Sequence, residues 1–185
     1  MTAKPRPGGR SARTRAAAFE AVAALLAERG HDSFTMTEVA ERAGVAATSL
    51  YRRWGDVRVL VMEAAVEQVM REHPLPDTGS LREDLRVWGR SIAVSLSDRQ
   101  GSSFFRAFVA TAMPPGPASA ARAGAIMRRV EQIALMVERG RARGETAPEP
   151  AEVLDHLLAP LYMRALFGAR VDEAFAEDLV ERLMR

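Results

Sequence analysis

The chain has 185 residues, 48% of them apolar and 27% charged, and a formal net charge of only +2. That length buries a real core in one domain, or in two small ones sharing a boundary, without any covalent staple. Cysteine is absent, which excludes a disulfide framework and a thiolate metal site. The longest apolar runs, such as Ala21 to Ala27, fall far short of the roughly 20 residues a membrane span needs. The start lacks the apolar core of a secretory signal, so the expected location is cytoplasmic. Ala, Leu, Glu and Arg recur throughout, β-branched and aromatic clusters are few, and the fold class expected is all-α.

In chain order, Lys4, Arg6, Arg10, Arg13 and Arg15 precede the first acidic residue, Glu20. With Pro5, Pro7, Gly8 and Gly9 among them, residues 1–12 read as a flexible basic arm of the kind that tracks phosphates or enters a minor groove. A solvated tail is the plainer reading. A first helix runs from about Arg13 to Arg29, with Phe19, Val22, Ala23, Leu26 and Ala27 at helical spacing and Gly30 as its stop. Thr35 and Glu38 form a capping box that opens a second helix ending at Gly44. A third runs from about Ala47 to Arg53, and Asp56 caps a fourth from about Val57 to Glu72. Residues 73–79, His-Pro-Leu-Pro-Asp-Thr-Gly, read as the clearest linker in the chain.

Beyond that linker, Ser80 and Glu83 predict a second capping box on a helix to about Ser97, with Leu81, Leu85, Trp88, Ile92 and Leu96 on one face. A short apolar helix from Ser103 to Met113 stops at a Pro-rich break. The next, about Ala118 to Arg143, carries Ile126, Val130, Ile133, Ala134 and Val137 and ends in a basic turn that suits the helix dipole. Two last helices span about Ala151 to Phe167, where Pro160 predicts a kink, and Asp172 to Met184.

The segment from Met36 to Gly55 carries the function. Two short helices crossing at roughly 90–120° need a small side chain at the contact, here Ala40, and a left-handed turn residue, here Gly44. Val39, Ala43, Val45 and Leu50 point inward. Thr48, Ser49, Tyr51, Arg52 and Arg53 are then left outside, and hydroxyls and guanidinium groups on a short surface helix suit phosphates and base edges. The plainer alternative is an ordinary helical hairpin.

At this point the chain resembles the TetR family of transcriptional regulators. The resemblance rests on residues 34–45, Phe-Thr-Met-Thr-Glu-Val-Ala-Glu-Arg-Ala-Gly-Val, followed by Leu50-Tyr51-Arg52-Arg53-Trp54, and it covers about residues 13 to 70. It implies a helix-turn-helix DNA-binding domain over 13–56, a connecting helix over 57–72, and a ligand-binding and dimerisation domain over 73–185. It implies Thr35, Thr48, Tyr51 and Arg52 as contacts to double-stranded operator DNA, within a candidate interface of Thr35, Thr37, Ala46, Ala47, Thr48, Ser49, Tyr51, Arg52, Arg53 and Arg58. The chain departs from the family at Ala46, where many members carry Ser or Thr, and at Val57, where many carry Lys. Arg53 and Arg58 are the candidates to replace that cation.

Pro76-Asp77-Thr78-Gly79-Ser80-Leu81-Arg82 with the later Leu157-Leu158-Ala159-Pro160-Leu161-Tyr162 resembles one C-terminal type within the same family. It implies that the last two helices pair with their copies in a second subunit, with Leu154, Leu158, Leu161, Phe175 and Leu179 at the interface. Trp88, Phe104, Phe105, Phe108, Met127 and Tyr162 are candidates to line a pocket for an unknown small-molecule effector, against the plainer reading of core packing. No cofactor is expected. His31, His73 and His156 lie in separate segments without a His-x-x-x-His pair, and no phosphate-cradling Gly loop occurs, so an enzyme is not expected. The closest rival is a sequence-independent architectural DNA-binding protein, against which stand more than a hundred residues of mixed-charge helix that wrapping does not require.

Overall fold

The computed structural model describes residues 9–29, 34–98, 109 and 118–185. Every regular element among them is helical: α1 (Arg10–Arg29), α2 (Met36–Ala43), α3 (Ala47–Trp54), α4 (Val57–Glu72), α5 (Leu81–Ser97), α6 (Ala118–Ala142), α7 (Pro150–Val153), a π turn (Leu154–Leu158), α8 (Ala159–Leu166) and α9 (Glu173–Leu183). The helix expected over 103–113, with Phe104, Phe105 and Phe108, and the stop at Gly30 lie outside the described residues.

The apolar side chains form two clusters. The first joins Ala18, Val22, Leu25 and Leu26 of α1 to Val39 and Ala40 of α2, Leu50 and Trp54 of α3, and Leu60, Val61, Ala64 and Ala65 of α4. The second is built on α5, α6 and the C-terminal helices, with Leu85, Trp88, Ile92, Ile133, Met136, Leu157 and Val180 at its centre. Helix α4 packs on α1 and on α6, so one helix lies against both halves.

Several local expectations hold. Leu81, Leu85, Trp88, Ile92 and Leu96 of α5 are all buried, as their spacing requires. Others shift. Helix α1 begins at Arg10, where the Gly9 carbonyl accepts the N–H groups of Ala12 and Arg13, so the last residues assigned to the arm are helical. Its buried face is Ala18, Ala21, Val22, Leu25 and Leu26, and Ala27 is exposed. On α6, Ile126 is exposed and the inward face is Arg129, Ile133, Met136, Val137 and Gly140.

The second capping box is replaced by a tertiary lock. Ser80 makes no side-chain cap. Instead the buried Asp84 accepts hydrogen bonds from the Thr78 N–H at 2.6 Å and the Thr78 hydroxyl at 2.8 Å, while the Leu81 N–H at the head of α5 is taken by Glu145 at 2.8 Å. Glu83 turns to Arg86 and Arg90. The Pro-Asp-Thr-Gly-Ser-Leu-Arg segment is thereby fastened to the end of α6, where Arg139 and Arg143 flank Asp77.

The kink expected at Pro160 takes the form of a widened turn. Proline supplies no N–H to the preceding turn, and its ring crowds the carbonyl four residues back. The strain is relieved just upstream, where Ala159 donates to the Leu154 carbonyl five residues away.

At Gly140 helix α6 approaches α5 closely, because a Cβ there would lie 2.9 Å from both Cβ and Cδ2 of Leu81. Alanine in a free helix would stabilise by up to about 1 kcal/mol over glycine. Overpacking against the root of a buried leucine costs about 1–3 kcal/mol. Gly140→Ala is therefore expected to lower Tm by several degrees in a thermal melt; a rise would show that the two helices are not in contact there.

Candidate nucleic-acid interface

Helix α2 starts and stops on local chemistry. Thr35 adopts an extended backbone, and its hydroxyl accepts the Glu38 N–H at 3.2 Å. The Glu38 carboxylate in turn accepts the Thr35 N–H at 2.7 Å, completing the reciprocal cap. The carboxyl of Glu38 is held down to about 2, first by the Thr35 N–H, then by Arg29, whose guanidinium lies 2.6 Å away, and by the Thr35 hydroxyl. At the other end Gly44 sits at φ 64°, ψ 34°, a left-handed conformation. Val45 N–H then reaches the Ala40 carbonyl at 3.0 Å, closing the helix with the six-to-one bond of a Schellman turn. Arg42 clamps Glu28 of α1 through two 2.7 Å bonds, fixing α2 on its support.

Helix α3 follows after a three-residue turn, Gly44 to Ala46. Its N-terminus is uncapped by any side chain, since Ala46 has none to offer. Its orientation comes from burial of Leu50 and Trp54. The Trp54 indole packs against Phe19 at a centroid distance of 6.2 Å and donates to Glu63 of α4 at 3.1 Å. This side chain joins α1, α3 and α4.

With Leu50 and Trp54 inward, Thr48, Tyr51 and Arg52 face solvent, Tyr51 with 50% of its surface exposed. Thr37 and Ala46 are exposed nearby, and Ala47 and Ser49 are half-buried at the helix edge. Thr35 is exposed, but its hydroxyl is committed to the cap and also lies 3.0 Å from Glu38.

The cations divide into two groups. Arg53 donates to Ser11 of α1 at 2.7 Å and lies over the Trp54 ring. Arg58 turns back on Asp56, its own helix cap, at 2.7 Å, which holds the Asp56 carboxyl below its ordinary range. Arg52 has no ion-pair or hydrogen-bond partner among the described residues, nor has Tyr51. The candidates to replace the cation at Val57 are thus both engaged within the protein, and Arg52 beside Tyr51 is the uncommitted one.

The C-terminal candidates are placed differently. Leu158, Leu161 and Leu179 are buried in the chain's own core; Leu154 is half-buried, and Phe175 is half-buried beneath the Arg164 guanidinium. The apolar side chains these helices leave outside are Met163, Leu166 and Phe167, the last 76% exposed. Periodicity missed them because a helix apolar over more than one face does not say which face its own domain covers. Of the pocket candidates, Trp88 is buried, Tyr162 is half-buried and Met127, at 58% exposure, points out. Trp88 and Tyr162 meet around Arg129 of α6, a residue absent from the sequence reading.

A short helix locked across a left-handed turn, presenting hydroxyl and guanidinium groups outward, is a helix-turn-helix DNA-binding unit. The N-terminal model of the bacterial regulatory proteins of the tetR family matches residues 19–64, and the tetracyclin repressor-like C-terminal domain model matches residues 75–183. The chain belongs to the TetR family and is a helix-turn-helix transcriptional regulator. It is similar to the HTH-type transcriptional regulator AqdR of Rhodococcus erythropolis, 34% identical over 136 residues, which cover 74% of this chain and 65% of that one. The match thus spans just under two thirds of AqdR. The uncharacterized HTH-type regulator YdeS of Bacillus subtilis is 28% identical over 180 residues, covering 96% of this chain and 89% of that one. Among solved structures, the TetR family transcription regulator SCO0332 superposes with a TM-score of 0.81 at 26% identity, over 93% of this chain and 97% of that one. No helix among the described residues is long and apolar enough to cross a membrane.

The Glu38 cap gives a signed pH dependence. Its carboxyl lies near 2 in the folded chain against an ordinary 4.5, so the stabilisation is complete above about pH 4.5 and is lost as pH falls towards 2. Circular-dichroism melts should show Glu38→Gln less stable than wild type at pH 7, with the gap narrowing below pH 4.5; a gap that stays constant would mean the cap acts without the charge. In the turn itself, Gly44→Val should abolish DNA binding while the C-terminal half stays folded, because a β-branched residue is strongly disfavoured at positive φ; binding at wild-type strength would show that the turn does not set the α3 angle.

Proposed function

We propose that this regulator is a cytoplasmic homodimeric repressor that binds a near-palindromic operator and is released from it by a small molecule. In this reading residues 13–56 bind DNA, the basic segment before them follows the backbone, α4 connects, and residues 73–185 hold the effector and the dimer contact. The observation that carries the DNA-binding part is the state of the charges on α3 and at the start of α4: Arg53 and Arg58 are paired internally, while Tyr51 and Arg52 stand outward without a protein partner among the described residues. Tyr51 and Arg52 are assigned to phosphates and Thr48 to a base edge. Arg53 and Arg58 act as supports that hold α3 against α1 and cap α4.

The dimer part rests on Met163, Leu166 and Phe167. Exposed apolar side chains grouped on one segment mark an interaction surface, and one recognition helix reads too few base pairs to be selective in a genome.

Selection of bound fragments from random DNA should enrich an inverted repeat. A lone half-site together with a monomeric mass would overturn the dimer, and no enrichment would favour sequence-independent binding. On the selected site, Tyr51→Phe and Arg52→Ala should each weaken binding and Arg52→Ala should lower the salt slope by about one, as loss of a phosphate contact does. Thr48→Ala should instead change preference at one position per half-site, by about 1–3 kcal/mol. Phe167→Glu should shift the solution mass towards the monomer while the melting transition stays cooperative; an unchanged dimer mass would relocate the interface.

A further inference from the structure

Arg129 is the feature of the C-terminal half that packing alone does not explain. It projects from α6 into the second core with only 8% of its surface exposed. Its guanidinium lies 5.2 Å from the centroid of the Trp88 ring and donates to the Gln132 side chain at 3.3 Å. Tyr162 of α8 hydrogen-bonds it as well. These partners are all neutral, and among the described residues no carboxylate reaches Arg129 within ion-pair distance. Half-buried arginines of the same half follow the opposite pattern: Arg82, Arg86 and Arg90 share Glu181, Glu177 and Glu83. A buried guanidinium is costly unless an anion compensates it, and arginine cannot escape by losing its proton.

We propose that Arg129, flanked by Trp88 and Tyr162, is the anion-binding end of the effector site, and that the effector is a carboxylate on an aromatic or alkyl body. This inference rests on the ligand-release reading and names the chemistry of its ligand. The guanidinium offers a planar donor edge that suits a carboxylate. The Tyr162 hydroxyl adds a donor beside it. The apolar body would pack on the inward side of α6, where Ile133 and Met136 are the buried apolar side chains that follow Arg129.

The same cluster touches the end of the connecting helix. His73 closes α4, its N–H reaching the Val69 carbonyl at 3.1 Å. Its own carbonyl accepts the Trp88 indole N–H at 3.2 Å, and its ring pairs with Ser91 at 3.1 Å. Burial holds the His73 imidazole below its ordinary value, and the Arg129 charge pushes the same way against Glu72. An anion that draws Arg129 towards itself shifts its stacking on Trp88, and Trp88 is bonded to the residue that ends α4.

The test uses the full chain with benzoate, phenylacetate and decanoate as probes, and their neutral amides as controls of the same shape. Thermal shift and tryptophan fluorescence report binding, and anisotropy of a labelled selected operator reports release. At least one carboxylate is expected to stabilise the protein and change the fluorescence, and its amide to do so far less. Arg129→Gln should weaken that carboxylate by roughly ten- to hundredfold, the weight of a charge-assisted hydrogen bond, and leave the amide unaffected. Should Arg129→Gln fail to fold, Tyr162→Phe is the second variant and should weaken the acid several-fold more than the amide. Amides that bind as well as acids, an acid affinity unchanged in both variants, or no binding by any of the acids would overturn the anion site. Arg129-dependent carboxylate binding that leaves operator affinity unchanged would support the site and refute the release reading instead.

Discussion

The structure depends on α4 being shared. A helix in a small domain normally buries one stripe against one core. Here Leu60, Val61, Ala64 and Ala65 belong to the core that holds the helix-turn-helix, while the same helix packs against α6 of the other half. Hydrogen bonds tie it to both halves, at Glu63 to Trp54 of α3 and at His73 to Trp88 and Ser91 of α5. The two halves therefore cannot reorient independently. A displacement at the C-terminal end is carried to the end that supports α3, because a packed helix transmits movement as a rigid body.

The reading head has little stability of its own. Helices α2 and α3 are eight residues each, well below the length at which an isolated helix persists in water. Helix α2 compensates with two complete caps, whereas α3 has no side-chain cap at its start and relies on tertiary contacts. Trp54 supplies the largest of these, meeting Phe19 on one side and Glu63 on the other. The ion pairs Arg42–Glu28 and Arg15–Glu67 brace the same assembly from outside. Tyr51 and Arg52 are free of these commitments among the described residues, so the phosphate contacts proposed for them would leave the scaffold intact.

What the sequence made legible follows the range of the interactions. The Thr35–Glu38 cap, the turn at Gly44 and the buried stripe of α5 are set by residues within a few positions of one another, and they stand where the pattern places them. Ser80 and Glu83 have the same spacing and form no cap, because Glu83 is drawn to Arg86 and Arg90, the Ser80 N–H turns to the Thr78 hydroxyl, and Glu145 from the end of α6 takes the Leu81 N–H. The choice among cations after α3 was open for a similar reason: Ser11 lies 42 positions before Arg53, a separation no local rule covers. Leu158, Leu161 and Leu179, which the resemblance places at an interface, are buried in the chain's own core, a distinction that apolarity alone does not make. Arg129 carries no periodic signal, since a charged residue on a long basic helix reads as surface; only burial distinguishes it.

The position of that buried charge bears on how far a ligand must move anything. Helix α4 has 16 residues, a lever of about 24 Å at 1.5 Å per residue. A tilt of about 5° at its His73 end displaces the far end by roughly 2 Å, more than a hydrogen bond tolerates. In a two-fold dimer the two displacements add, so small tilts take both recognition helices out of register with a fixed half-site spacing. A ligand shifts that balance only by the difference in its affinity for the two arrangements. A neutral apolar ligand filling a packed core gains nearly the same contacts in either arrangement. An anion facing Arg129 does not, because its attraction to the guanidinium changes steeply with distance where water is excluded. If the proposed anion site holds, a buried, uncompensated arginine next to the end of the connecting helix is a placement that would turn ligand charge into helix position.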